Sequence, residues 1–189
     1  MPRVGESRVQ QAMAAASGLV ATVLSCTPGD SPPHRESPPE LSVAVLRSAA
    51  YSSQHVDEGE IRLEGGSFED TARRLIVSFR PEYAVGDVDA DGAPDAAVLL
   101  ATSTGGSGTF HDLAVVLNRG GQPLNTATAF LGDRVLVERV RILEGEIQLD
   151  LTMHGPADPM CCPSVEATRR FRYADGELVE IEPPVDVPD

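Results

Sequence analysis

The segment Gly86-Asp87-Val88-Asp89-Ala90-Asp91-Gly92-Ala93-Pro94-Asp95 holds the residues with the plainest chemical potential: four carboxylates, three of them at alternate positions, and a glycine that permits a tight turn. Carboxylates spaced this way along an extended coil repel one another unless a hard cation sits among them. Calcium, which takes roughly six to eight oxygen ligands, suits the pattern. Asp87, Asp89, Asp91 and Asp95 supply side-chain oxygens, and the Ala93 carbonyl falls at the position where such loops use backbone. The bidentate Glu that closes an EF-hand is missing, because Val98 occupies its place inside an apolar strand. An EF-hand helix pair is therefore excluded, and a structural ion of weak affinity, on the order of 10⁻⁴ to 10⁻³ M, is expected. The bland alternative is an Asp-rich surface turn in which each carboxylate caps backbone amides.

The second constellation is Asp158-Pro159-Met160-Cys161-Cys162-Pro163. Two adjacent cysteines in an exported chain are expected to pair with each other. Their Cα atoms stand only about 3.8 Å apart, below the usual disulfide span. Such a bridge serves either as a reducible switch or as a rigid turn, the latter favoured by the flanking prolines. Zinc held by His154 and both cysteines is a third option, weakened by the lack of a second spaced ligand pair.

Other patterns fall short of a reaction. Thr104-Gly-Gly-Ser-Gly-Thr-Phe110 lacks the Lys of a phosphate-binding loop and the last Gly of a nucleophile elbow, so it reads as a hairpin turn. The histidines at 34, 55, 111 and 154 show no metal-binding spacing. A triad of Ser107, His111 and Asp112 is disfavoured, because neighbours on a strand point to opposite faces.

The elements that must position these groups begin after an export segment. Residues 1–25 carry Arg3 and Arg8 ahead of a charge-free apolar stretch, Ala12 to Leu24, too short to span a bilayer. It ends in Val23-Leu24-Ser25-Cys26, which resembles the lipobox of bacterial lipoproteins and makes Cys26 the expected lipidation site. Residues 26–40, rich in Pro and polar side chains, read as a tether. Thr27 after that cysteine resembles sorting to an outer membrane, if the organism has one. Ser37-Pro-Pro-Glu40 reads as a capping box, and Leu41, Val45, Leu46 and Ala49 share one face, which predicts a helix near 38–52. From Ile61 onward the apolar period is two, with turn residues at Gly65-Gly66, Asn118 to Gly121, Glu144 to Glu146 and Asp175-Gly176. The expected fold is α+β, one short helix packed on a mostly antiparallel, meander-like sheet, in a single domain over 41–182 with an acidic Pro-rich tail at 183–189. A slip of apolar phase between Val137 and Val140 predicts a bulge or break near Glu138 or Arg139.

Composition sets limits on partners. The chain has 189 residues, no Trp, 4% aromatics and a formal charge of -14, and all its basic residues are Arg. Beyond Cys26 the acids outnumber Arg by 28 to 13. Such a surface disfavours nucleic acid and favours cations, cationic ligands or basic partners.

The span from Gly86 through Leu100 resembles the calcium loops of FG-GAP repeats, in which a D-x-D-x-D-G-x-x-D turn runs straight into a strand. With a single copy, a propeller is not implied. Gly86 to Asp95, TGGSGTF, Leu131-Gly-Asp-Arg134 and DPMCCP occur in an order resembling an uncharacterised group of bacterial exported lipoproteins, over about residues 41 to 180. The Cys-Pro-Ser turn before the final strand pair resembles the LppP/LprE lipoprotein family. These resemblances imply localisation in the cell envelope, at the outer membrane or periplasm of a Gram-negative cell, and name no substrate. The expectation is a binding module anchored to the membrane through lipid at Cys26 and meeting an envelope protein or cationic ligand. The rivals are a thiol-redox or other envelope enzyme using Cys161-Cys162, and an envelope-enzyme inhibitor.

Overall fold

The computed structural model describes residues 39–56 and 59–182, all within one compact unit, Glu36–Asp189. The expected export segment, Cys26, the expected tether up to residue 38 and the tail from 183 lie outside the described residues. In chain order the elements are α1 (Val43–Leu46), β1 (Ala50–Ser52), β2 (Glu60–Arg62), β3 (Ser67–Asp70), β4 (Leu75–Gly86), β5 (Asp95–Ser103), β6 (Phe110–Arg119), β7 (Gln122–Asp133), β8 (Leu136–Leu143), β9 (Glu146–Met153), β10 (Val165–Ala174) and β11 (Glu177–Glu182). No helix among the described residues is long and apolar enough to cross a membrane.

Every strand pairing is antiparallel. β3 to β7 form a five-stranded meander, β8 to β11 a four-stranded one, and β1 pairs with β2. The turns follow their residues. Gly65-Gly66, Gly120-Gly121, Glu144-Gly145 and Asp175-Gly176 each hold two successive positive φ angles, the twist that a two-residue hairpin requires.

The helix is shorter than the pattern suggested. It spans Val43 to Leu46, and its cap is Ser42, whose hydroxyl accepts from the Val45 amide at 3.3 Å. Ser37, the expected cap, lies outside the described residues. Residues 50–52, expected as helix, pair with 62–60 instead. That pairing sends Tyr51 into the core, where its hydroxyl donates to the Leu46 carbonyl at 2.7 Å. The apolar quartet still packs, with Leu41, Leu46 and Ala49 buried.

One helical turn cannot cover a sheet, and the sheet is covered on both faces. β5 is buried at Asp95 through Thr102. Ala97 and Leu99, with Leu113, Val115 and Leu117 of β6, pack against Ile147, Leu149, Leu151 and Phe171 of the second sheet. Ala96, Val98 and Leu100, with Ala114 and Val116, pack against Leu46, Tyr51, Ile61 and Leu63. The expected single sheet under a helix is therefore corrected to a central sheet between a second sheet and a thin layer of α1, β1 and β2. The continuous apolar runs of β5 and β6 are the mark of strands buried on both sides.

Bulges adjust this frame. Val137 faces Leu151 and Arg139 faces Asp150, leaving Glu138 as the extra residue, where the phase slip placed it. Between Phe79 and Tyr83 the β4–β5 register shifts around Pro81, which has no N–H to give the ladder. In β7 the shift leaves Leu131 unpaired, and its carbonyl accepts from the buried Arg169 at 2.9 Å.

Candidate functional site

The Asp loop connects β4 to β5, closed at its base by the Gly86–Asp95 pair. Gly86 is required there, because a Cβ would stand 2.8 Å from Ile142 Cγ2 in β8. Within the loop Ala90 takes φ 60° and Gly92 φ 85°, and these reversals turn the acids toward a common centre. One oxygen each of Asp87, Asp89 and Asp95 lie within 4.8 Å of one another, an arrangement able to hold a metal ion.

Asp95 is fully buried. One oxygen accepts the Val88 amide at 3.0 Å and the other the Asn118 amide at 2.8 Å. Burial pushes its carboxyl above the usual range, the amides of Asn118 and Val88 pull it back, and the charges of Asp89 and Asp91 push it up again. Asp87 accepts the Gly92 amide at 3.0 Å through Oδ2, while its buried Oδ1 has no partner. An all-oxygen donor set with an orphaned, buried carboxylate oxygen fits a hard cation.

Asp91 does not join the group. Arg119, at the β6–β7 turn, reaches Asp91 at 2.6 Å and Asp89 at 3.0 Å, and its bond to Asp89 holds the guanidinium more firmly protonated. Asp91 also accepts the Ala93 amide at 2.7 Å, so its position is that of a loop-closing turn residue. Ala93, expected to offer its carbonyl, has a buried side chain within the same loop. An open cleft of about 650 Å³ runs beside the loop, past Glu144, Gly145, Arg172 and Tyr173.

A second locus forms where three sequence segments meet. Arg134 donates to the Ser107 carbonyl and hydroxyl, both at 3.2 Å, and Asp133 accepts the Thr109 amide at 2.8 Å. The Gly105–Phe110 loop and the Leu131–Arg134 turn are thus one hydrogen-bonded unit. Arg134 also approaches Met160 Sδ at 4.0 Å, which brings in the cysteine turn. Together they enclose a cavity of about 350 Å³ floored by Leu99 and Val137, with Arg80, His111, Arg134 and Cys161 around it. Pro81, through the bulge it forces, sets Arg80 at this wall. Burial holds the His111 imidazole below its ordinary range, helped by the charge of Arg80, and its Nδ1 has no partner.

No triad is assembled here. Ser107 Oγ is taken by Arg134, and Asp112 lines a different cavity on the opposite face of β6. Cys161 and Cys162 are joined to each other, so neither offers a thiolate to zinc beside His154. Both are exposed. Their turn is closed by Asp158, which accepts the Gly155 amide at 2.9 Å, the Ser164 amide at 2.8 Å and the Ser164 hydroxyl at 2.7 Å.

Sequence reasoning did not find Arg119, Asn118 or Arg80. Asn118 was legible only as a turn residue, and an arginine 28 residues from Asp91 carries no local signal that it will pair there. The Asp158 clamp gives a test. The Gly155 amide first, then the Ser164 hydroxyl, depress its carboxyl, so the stabilisation is present above the unfolded pKa and is lost as pH falls through the folded one. Asp158→Asn is expected to lower the melting temperature at pH 7, with the gap closing below pH of about 4. Thermal unfolding across that range checks it, and a gap independent of pH overturns it. Set against known proteins, the chain matches no family model, no curated protein and no solved structure, so no likeness bears on what the loop or the cavity binds.

Proposed function

We propose that this chain is an exported envelope protein, lipid-anchored at Cys26, whose folded part is a binding module stiffened by a calcium ion. The observation that carries the calcium reading is the convergence of Asp87, Asp89 and Asp95 around an orphaned Asp87 oxygen. Unit charges at such separations repel by roughly 1–4 kcal/mol per pair at effective dielectric constants between 80 and 20. Arg119 offsets only part of this, at the loop's outer side. A divalent ion would remove the rest and tie the end of β4 to the start of β5. Calcium, rather than magnesium, suits a few carboxylates gathered on an irregular turn, because it tolerates irregular oxygen geometry.

Anchoring is supported by Arg3 and Arg8, the apolar stretch to Leu24 and the Val23-Leu24-Ser25-Cys26 junction. The acidic mature chain favours an envelope protein with a basic face or a cationic ligand and disfavours nucleic acid. The binding surfaces we assign are the cleft beside the Asp loop and, at the other end of β5, the cavity lined by Thr109, Arg134 and Cys161.

Calcium at about 10 mM is expected to raise unfolding free energy by about 1–2 kcal/mol for a millimolar site. Asp87→Ala and Asp89→Ala lose that shift, whereas Asp91→Ala keeps it, since Asp91 belongs to Arg119. Absence of calcium heat in calorimetry, with the Asp87 and Asp89 variants unchanged, sinks the reading. Cys26→Ser is expected to move the chain from the membrane to the soluble fraction of fractionated cells; unchanged membrane retention removes the anchor.

A second reading has an observation of its own: the disulfide forms part of a cavity wall beside His111. In it, a substrate thiolate attacks one sulfur, forms a mixed disulfide and releases the other cysteine as thiolate. Mass spectrometry after exposure to a mild small thiol tests this. A mixed-disulfide adduct supports the redox role, and a bridge that survives leaves it a rigid turn.

A further inference from the structure

The other face of β6 carries a group that neither the Asp loop nor the disulfide cavity uses. Asp112 is 6% exposed, yet no described residue donates it a hydrogen bond or forms an ion pair with it. Among the described residues its electrostatic neighbour is His55. A carboxylate this enclosed has no protein donor among the described residues, and its oxygens open onto a pocket, where a partner from outside can meet them.

Asp112 lines a cavity of about 330 Å³ together with Ser52, Ser53, Thr128 and Phe130. Phe130 is directly opposite Asp112 in the β6–β7 register, so both stand on one face of the sheet. It remains 48% exposed in a chain whose aromatics are 4% of residues. The Phe130 ring meets Phe110 at 6.3 Å, and Phe110 in turn stacks on His55 at 5.5 Å. A carboxylate, three hydroxyl side chains and an exposed aromatic ring are thus gathered at one pocket. Asn125 braces it, accepting the Ser52 amide at 2.7 Å and donating to the Val115 carbonyl at 2.8 Å.

We infer that this pocket binds a small primary alkylammonium ligand, with Asp112 as its counter-ion, the hydroxyl wall as hydrogen-bond acceptors and Phe130 as the surface for its cationic and apolar parts. A carboxylate supplies the charge-assisted bond, and an aromatic face attracts an ammonium group and its adjoining methylenes. Burial pushes the Asp112 carboxyl up, and His55 draws it down; a bound ammonium would hold it ionised. The site is separate from the Asp loop and stands or falls without it.

The test is titration of the full chain with butylammonium chloride at physiological salt, followed by calorimetry, with butanol as the uncharged match. Saturable binding of butylammonium and none of butanol is expected. Asp112→Asn is expected to weaken it at least about tenfold, the loss of a charged hydrogen bond. Phe130→Ala, at an exposed position, is expected to weaken it by about threefold or more. Asp87→Asn leaves the affinity unchanged, which separates this site from the calcium reading. Should Asp112→Asn fail to fold, the Phe130 variant decides. No saturable binding to the native chain, or equal binding after either pocket substitution, overturns the inference and assigns any uptake to the general acidity of the surface.

Discussion

The burial of Asp95 is the constraint on which the functional end of this protein depends. A carboxylate with no access to water persists only if its oxygens are bonded, and Asp95 spends them on the amides of Val88 and Asn118. Those two bonds join the Asp loop to the β6–β7 turn. Asn118 extends the tie: its side-chain amide donates to the Pro39 carbonyl at 2.7 Å and the Pro94 carbonyl at 3.1 Å, and its oxygen accepts the Gly121 amide at 2.7 Å. One buried polar cluster therefore sets the loop, the hairpin beside it and the start of the described chain. Satisfied clusters of this kind rigidify a fold and specify one arrangement, and removing one member leaves the others unpaired.

The central sheet explains why chemistry gathers at separate places rather than one. With β5 and β6 buried on both faces, their adjacent residues serve different compartments. His111 faces the cavity under the cysteine turn and Asp112 the pocket beside β1. Side-chain alternation along the strand, which counts against a triad, keeps them on opposite faces of the sheet. Loops at the strand ends complete the His111 compartment: Arg134 clasps Ser107, and Asp158 closes the turn that carries the disulfide.

Much of the local structure was legible. Two-residue turns rich in glycine, the strand periods from Ile61 onward, the bulge at Glu138 and the pairing of Cys161 with Cys162 all follow from short-range rules. They depend on φ preferences, side-chain alternation and covalent reach, which neighbours in sequence decide. The helix was overread, because the apolar spacing of Leu41, Val45, Leu46 and Ala49 is satisfied as well by one turn followed by a strand. What chose the strand was the partner edge at 60–62 and a buried site for Tyr51.

From residue types and spacing alone came an acidic β-rich chain, a carboxylate loop suited to a hard cation and an adjacent cysteine pair. Those are properties of composition and local covalent order. Tertiary structure decided which acids converge: Asp87, Asp89 and Asp95 meet because Gly86 lets β4 approach Ile142 and Asn118 fixes Asp95, while Asp91 is drawn to Arg119 from a distant hairpin. It also decided that Asp112 lies buried beside Phe130, since burial and cross-strand neighbours depend on the register of chains far apart in sequence. Charge and spacing are written along the chain, but the field that each charge feels is set only when sheets stack and water leaves.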